Sequence, residues 1–193
     1  MKQSGWRVKL KDIGSSLYAI AVSVESNSTN TIYISNGSNN VSSTLTRSND
    51  TTAYAANDVF GEATASVLSF SSICNNNESG FVITGANIRI DINAVPSGMG
   101  QFRVHLYNAV PSAITDNLAY NLPSGDRSKY LGYVVCNTPK DLGDTILSQN
   151  DNINFKSECA ASTNTIYGIV ETLNAFTPSA NDVLTVTLKA VDV

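Results

Sequence analysis

Apolar and polar residues alternate with a period of two along much of this chain. Ile88, Ile90 and Ile92 fall on one side of a segment whose other side carries Asn87, Arg89 and Asp91. Phe102, Val104 and Leu106 alternate with Arg103, His105 and Tyr107. Leu184, Val186, Leu188 and Ala190 alternate with Val183, Thr185, Thr187 and Lys189. Successive side chains of a strand leave opposite faces of the pleat, so these segments read as half-buried antiparallel strands. Alternation, apolar runs with β-branched content and the spacing of turn signals together place strands at residues 6–11, 17–25, 31–35, 41–46, 65–73, 80–92, 101–107, 130–137, 153–155, 165–172 and 183–191.

Turn chemistry separates them. Asn36-Gly37 is a strong hairpin signal and makes 41–46 the return strand of 31–35. Pro96-Ser97-Gly98 marks a turn and Asn75-Asn76-Asn77 a loop. Gly85, inside a strand, points to a bulge. All five prolines fall in connections. The long connection 108–129 is expected to hold a short helical turn around 114–120. Residues 47–57, small and polar, read as a linker. They set a boundary near residue 50 between an N-terminal β arm or small β segment (1–50) and a β domain (51–193). About eight strands after residue 58 favour an all-β fold, an antiparallel β-sandwich with the jelly roll as the best single architecture.

Composition narrows the function classes. Charged residues make up only 15% of the chain, and Ser, Thr and Asn take their place, which argues against a bundle of Glu- and Lys-faced helices. The net charge is −4 with 12 Lys and Arg, so no basic face for nucleic acid is expected. No apolar run reaches the ~18 residues of a membrane span, and no apolar stretch follows Lys2 as in a signal peptide. Cys74, Cys136 and Cys159 are odd in number and lack metal-ligand spacing, so they read as free buried thiols of a chain folded in a reducing cytoplasm.

Candidate chemistry is sparse, and the reading is of a protein that is not an enzyme and needs no cofactor or metal. The single histidine, His105, sits in mid-strand without a Gly-x-Ser-x-Gly nucleophile elbow, which favours pairing across strands or with a neighbouring subunit over catalysis. Glu62, Glu78, Glu158 and Glu171 cannot be paired from sequence into a glycosidase site and read as solvated strand-end acids. Asp141-Leu142-Gly143-Asp144 and Asn150-Asp151-Asn152 lack the full calcium-loop pattern, and Asx turns explain both. No phosphate-binding glycine loop is present. The sequons at Asn27, Asn36, Asn40, Asn49 and Asn77 are what chance provides in so Asn/Ser/Thr-rich a chain.

Three segments carry a resemblance. They are Thr52-Ala53-Tyr54-Ala55-Ala56-Asn57-Asp58-Val59, the stretch Gln101-Phe102-Arg103-Val104-His105-Leu106-Tyr107-Asn108 continuing through Asp116-Asn117-Leu118-Ala119-Tyr120, and Asp126-Arg127-Ser128-Lys129-Tyr130-Leu131-Gly132-Tyr133. With Ile166-Tyr167-Gly168-Ile169-Val170-Glu171 and Phe176-Thr177-Pro178, they resemble a group of small virion proteins of tailed bacteriophages over about residues 50–193. The match departs at Asn57, where relatives tend to have Gly; a left-handed turn tolerates both. The resemblance implies a jelly-roll-like capsid decoration, or cement, protein on the virion surface, assembled in the bacterial host cytoplasm. Its implied partners are the major capsid protein and further copies of itself, as a trimer or dimer, without nucleic acid or membrane.

The N-terminal segment lies outside the resemblance. Its alternating apolar residues nominate a capsid or subunit interface of Trp6, Arg7, Val8, Leu10, Tyr18, Ile20, Ile32, Tyr33 and Ile34, docking by strand addition. The alternative is a head-fibre or tail-associated receptor- or glycan-binding module, with Tyr54, Tyr107, Tyr120 or Tyr130 stacking on sugar rings.

Overall fold

The structure, a computed structural model, describes residues 38–62 and 67–193. Eleven strands follow one another within them: β1 (Ser38–Thr46), β2 (Val59–Phe60), β3 (Leu68–Phe70), β4 (Gly80–Ile90), β5 (Phe102–Tyr107), β6 (Tyr130–Cys136), β7 (Lys140–Asp141), β8 (Ile146–Asn150), β9 (Phe155–Glu158), β10 (Ile166–Thr172) and β11 (Val183–Asp192). They form two antiparallel sheets. One runs β1-β11-β4-β8-β7, with β9 also paired to β4; the other runs β2-β10-β5-β6, with β3 also paired to β10.

The alternation read from the sequence is what joins the sheets. Ile88, Ile90, Leu184, Val186 and Leu188 of the first sheet and Phe102, Val104, Leu106, Ile166 and Val170 of the second meet in one buried core. The fold is therefore the expected all-β sandwich. Burying these aliphatic and aromatic side chains is its main driving force, at roughly 1.5–3 kcal/mol each before the entropy of ordering the chain is subtracted.

Gly85 does sit at a bulge. Ala190 pairs with Ile83 while Lys189 pairs with Gly85, so Thr84 is the extra residue. The bulge shifts the phase of β4 by one. Phe81 and Ile83 before it, and Ala86, Ile88 and Ile90 after it, consequently all face the core. Without that extra residue, one half of the strand would turn its apolar side to water. Pro96-Ser97-Gly98 also forms its turn, with Met99 N donating to Pro96 O at 3.1 Å.

Several expectations need correction. Strand β1, placed by the sequence ahead of the boundary near residue 50, is paired along its whole length with β11. The sandwich thus already includes residues 38–46. The segment 47–57 is no simple linker, because Arg47 and Tyr54 within it are buried. Strands β7 and β8 were not anticipated: their short polar sequences lack a long apolar alternation, and they form by successive addition, β8 to β4 and β7 to β8. No helical turn occupies 114–120. A tight turn at Asp116-Asn117 stands there, and the connection's helical element is the 3-10 turn Ser124–Asp126.

Candidate functional site

The face of β5 turned away from the core carries Arg103, His105 and Tyr107, as the alternation requires. In a free sheet this face would meet water. Here the connection 108–129 lies against it. Val59, Tyr107 and Ile169 form a second, smaller apolar cluster with Ile114, Tyr120, Leu122, Tyr130 and Tyr167 packed on it.

Beneath this cover, His105 and Glu171 are each only 3% exposed. His105 Nε2 lies 2.8 Å from Glu171 Oε2, and its Nδ1 lies 3.0 Å from the Tyr130 hydroxyl. Arg103 donates to the same Glu171 oxygen at 2.7 Å. The imidazole stacks on the Tyr120 ring, 3.5 Å between centroids and 9° from parallel. Burial lowers the His105 pKa against the opposing pull of Glu171. A neutral imidazole satisfies every partner: Nε2–H donates to Glu171, and Nδ1 accepts from Tyr130. Burial also pushes the Tyr130 phenol up to about 12, which keeps its proton in place for that bond. The arrangement binds strands β5, β6 and β10 to the covering connection.

A second network anchors the other side of that connection. Arg47 Nε donates to the Tyr54 hydroxyl at 2.7 Å, and that hydroxyl donates to Asp116 Oδ1 at 2.5 Å. Asp116 Oδ1 also accepts from Gly61 N at 2.9 Å. Burial, followed by the bond to Asp116, raises the Tyr54 pKa. In the amide orientation that matches donors to acceptors, Asn117 reaches Asp58 Oδ2 at 3.0 Å and Ala53 O at 3.1 Å. Backbone bonds run alongside, from Val59 N to Leu118 O and from Tyr120 N to Asn57 O, each 2.8 Å. Asn57 holds φ 73°, the left-handed conformation expected at the position where the resembled pattern has Gly.

The far end is held by Asp126. It accepts from Ser112 N at 2.8 Å and from Lys129 Nζ at 2.7 Å. Lys129 first, then Ser112, holds its carboxyl down at about 2.

The three segments that carry the sequence resemblance therefore meet in space. Residues 52–59, 101–120 and 126–133 supply β5, the start of β6, and much of the connection laid over the outer face of β5, β6 and β10 together with the segment that anchors it. Their polar residues hold backbone in place: Asp58, Asp116, Asn117, Asp126 and Lys129 all bond to the loop or to the chain beneath it.

The other sequence candidates fall as follows. His105 pairs across strands, as read. Glu171 is a buried partner of His105 and Arg103, correcting its reading as a solvated acid. Gly143 N donates to Asp141 Oδ1 and Asn152 N to Asn150 Oδ1, the two Asx turns expected. Tyr54 and Tyr107 are buried and cannot stack on a sugar, and Tyr120 and Tyr130 are half-buried with their rings against His105. Exposed Tyr133, with the Arg103 guanidinium 4.6 Å above its ring, is the aromatic this reading missed. Its outward position on β6 was the available signal. A polar cleft of about 330 Å³ beside β7 and β8 is lined by Asn137, Thr138, Lys140, Leu147, Gln149 and Asp151.

The interface candidates Trp6, Arg7, Val8, Leu10, Tyr18, Ile20, Ile32, Tyr33 and Ile34 all lie outside the described residues. No family model matches this chain, and no curated protein matches it.

Proposed function

We propose that this chain is a structural virion protein of a tailed bacteriophage that decorates the capsid exterior and stabilises it by bridging major capsid subunits. The observation that carries this reading is the convergence of the three resembling segments on one surface feature. Their residues shape and fix a surface loop, an arrangement that suits a protein acting through its outer shape.

Strand order supports the same reading. In spatial order, one sheet runs β1, β11, β4 and the β8/β9 pair, and the other β2/β3, β10, β5 and β6. A chain that crosses between sheets in this way traces two interlocked Greek keys, and we infer a jelly roll from it. Jelly rolls recur in capsid and lectin domains, so the fold narrows the field without choosing within it. The hydroxyl- and amide-rich composition suits an outward-facing shell surface.

In this proposal the N-terminal residues 6–34 dock by strand addition and apolar contact, while the sandwich forms the outer knob. Several weak attachments per oligomer then give high avidity, and a trimer or dimer fits a local symmetry axis of the shell. An adsorption module is the second reading. The polar cleft beside β7 and β8 favours it, because its amide and carboxylate groups suit sugar hydroxyls.

Quantitative gels and electron cryomicroscopy of purified particles containing the chain test the proposal. Hundreds of copies over the head surface are expected. A handful at one vertex or on the tail overturns decoration in favour of adsorption or connection, and a glycan array then examines the cleft.

A further inference from the structure

Cys74 lies in the connection after β3, and Cys159 directly follows β9. Both are buried, and their Sγ atoms stand 2.7 Å apart across 85 residues of sequence. Even carbon atoms, smaller than sulfur, settle no closer than about 3.5 Å without bonding. The backbone holds the pair from both sides. Ile73 N donates to Asn164 O at 3.0 Å, Glu78 N to Thr163 O at 3.2 Å, and Cys159 N to Ser79 O at 3.1 Å. The Glu78 carboxylate also accepts from Ser162 N at 3.2 Å. The two thiols are thus kept face to face by four hydrogen bonds that do not involve sulfur.

We propose that Cys74 and Cys159 are a disulfide-forming pair, and that Cys136 is the thiol left over. This departs from the sequence reading of three free thiols, and it accounts for the odd count. Cys136 sits in β6 of the second sheet, where burial pushes its thiol up to about 12 and keeps it protonated. The bond ties the connection following β3, a strand of the second sheet, to the end of β9 in the first. It closes a covalent ring containing β4 through β9. The inference does not depend on the capsid reading.

The oxidant is a low-molecular-weight disulfide such as oxidised glutathione. One cysteine thiolate attacks a glutathione sulfur, forms a mixed disulfide and expels one glutathione thiolate. The second cysteine thiolate attacks the protein-side sulfur and expels the other. Two protein thiols are oxidised, one glutathione disulfide is reduced to two thiols, and the two cysteine protons pass to the leaving thiolates. Burial raises both cysteine pKa values, so exchange is slow in the folded chain, and the finished bond is shielded from reductants.

The test refolds the full chain from its reduced, denatured state in a buffer of reduced and oxidised glutathione, which removes any barrier set by burial. The expected product titrates one free thiol in denaturant instead of three. Its mass is lower by two hydrogens, and digestion yields a peptide joining Cys74 to Cys159. Reducing it is expected to lower Tm by about 5–15 °C. In Cys74→Ser, both remaining thiols should titrate. Three free thiols in the refolded wild type, a lasting glutathione adduct, or a link through Cys136 overturns the proposal.

Discussion

The Tyr54 hydroxyl donates to Asp116 Oδ1 at 2.5 Å, joining the start of the sandwich to the connection that covers its outer face. The same hydroxyl accepts from Arg47 Nε, so one oxygen satisfies a buried cation and a buried carboxylate together. Removing it leaves both with an unmet bond in a place that water does not reach. Tyr54→Phe, which keeps the ring stacked on Phe60, is expected to cost about 1–3 kcal/mol in urea unfolding. A loss below about 0.5 kcal/mol contradicts this account of how the connection is anchored.

Gly98 has φ +87°, and a Cβ there would stand 2.5 Å from the carbonyl oxygen of Ala175. Backbone cannot swing aside as a side chain can. Gly98→Ala is expected to destabilise by roughly 1–3 kcal/mol. Gly125→Ala, with nothing within 4 Å of its Cβ, should stay within about 0.5 kcal/mol of wild type. Thermal unfolding of the two variants side by side makes the comparison, and equal losses contradict the steric argument.

Burial sets the pH response of His105. Its folded-state pKa lies below the ordinary 6.5, so on acidification the unfolded chain takes up the proton first. Stability is therefore lost as pH falls below about 6.5, until the folded-state value is passed. Glu171, Arg103, Tyr120 and Tyr130 face the ring and are unchanged in His105→Gln. Unfolding free energies of both proteins between pH 8 and 5 should show the wild type losing more than the variant. Parallel curves contradict a buried neutral imidazole.

The docking role assigned to the N-terminus has its own test. Because β1 pairs with β11 along its whole length, a deletion reaching residue 46 would damage the sandwich itself. Removing residues 1–36 spares every described strand. That shorter chain is expected to keep the wild-type unfolding profile within a few degrees and to lose attachment to particles. Undiminished attachment places the capsid contact on the sandwich, with exposed Tyr133, Val110 and Leu118 the first residues to examine.

Much of the sandwich was legible because its information is local. Period-two alternation marked β4, β5 and β11, and the glycine inside β4 announced the bulge that keeps both halves of that strand in phase. The same alternation put His105 opposite the core. What covers that face, however, depends on where residues 108–129 run, and no local pattern states it. Glu171 becomes a buried partner instead of a solvated acid because β10 lies beside β5 and the connection seals both. Strands β7 and β8 follow the same logic: β8 pairs because β4 lies beside it, and β7 because β8 does, not from their own propensity. The meeting of Cys74 with Cys159 likewise follows from long-range hydrogen bonds between two loops. The sequence by itself determined an all-β, two-faced chain with a polar, weakly charged surface. The tertiary structure alone decided which polar residues are buried together, because burial and pairing depend on neighbours distant in the chain.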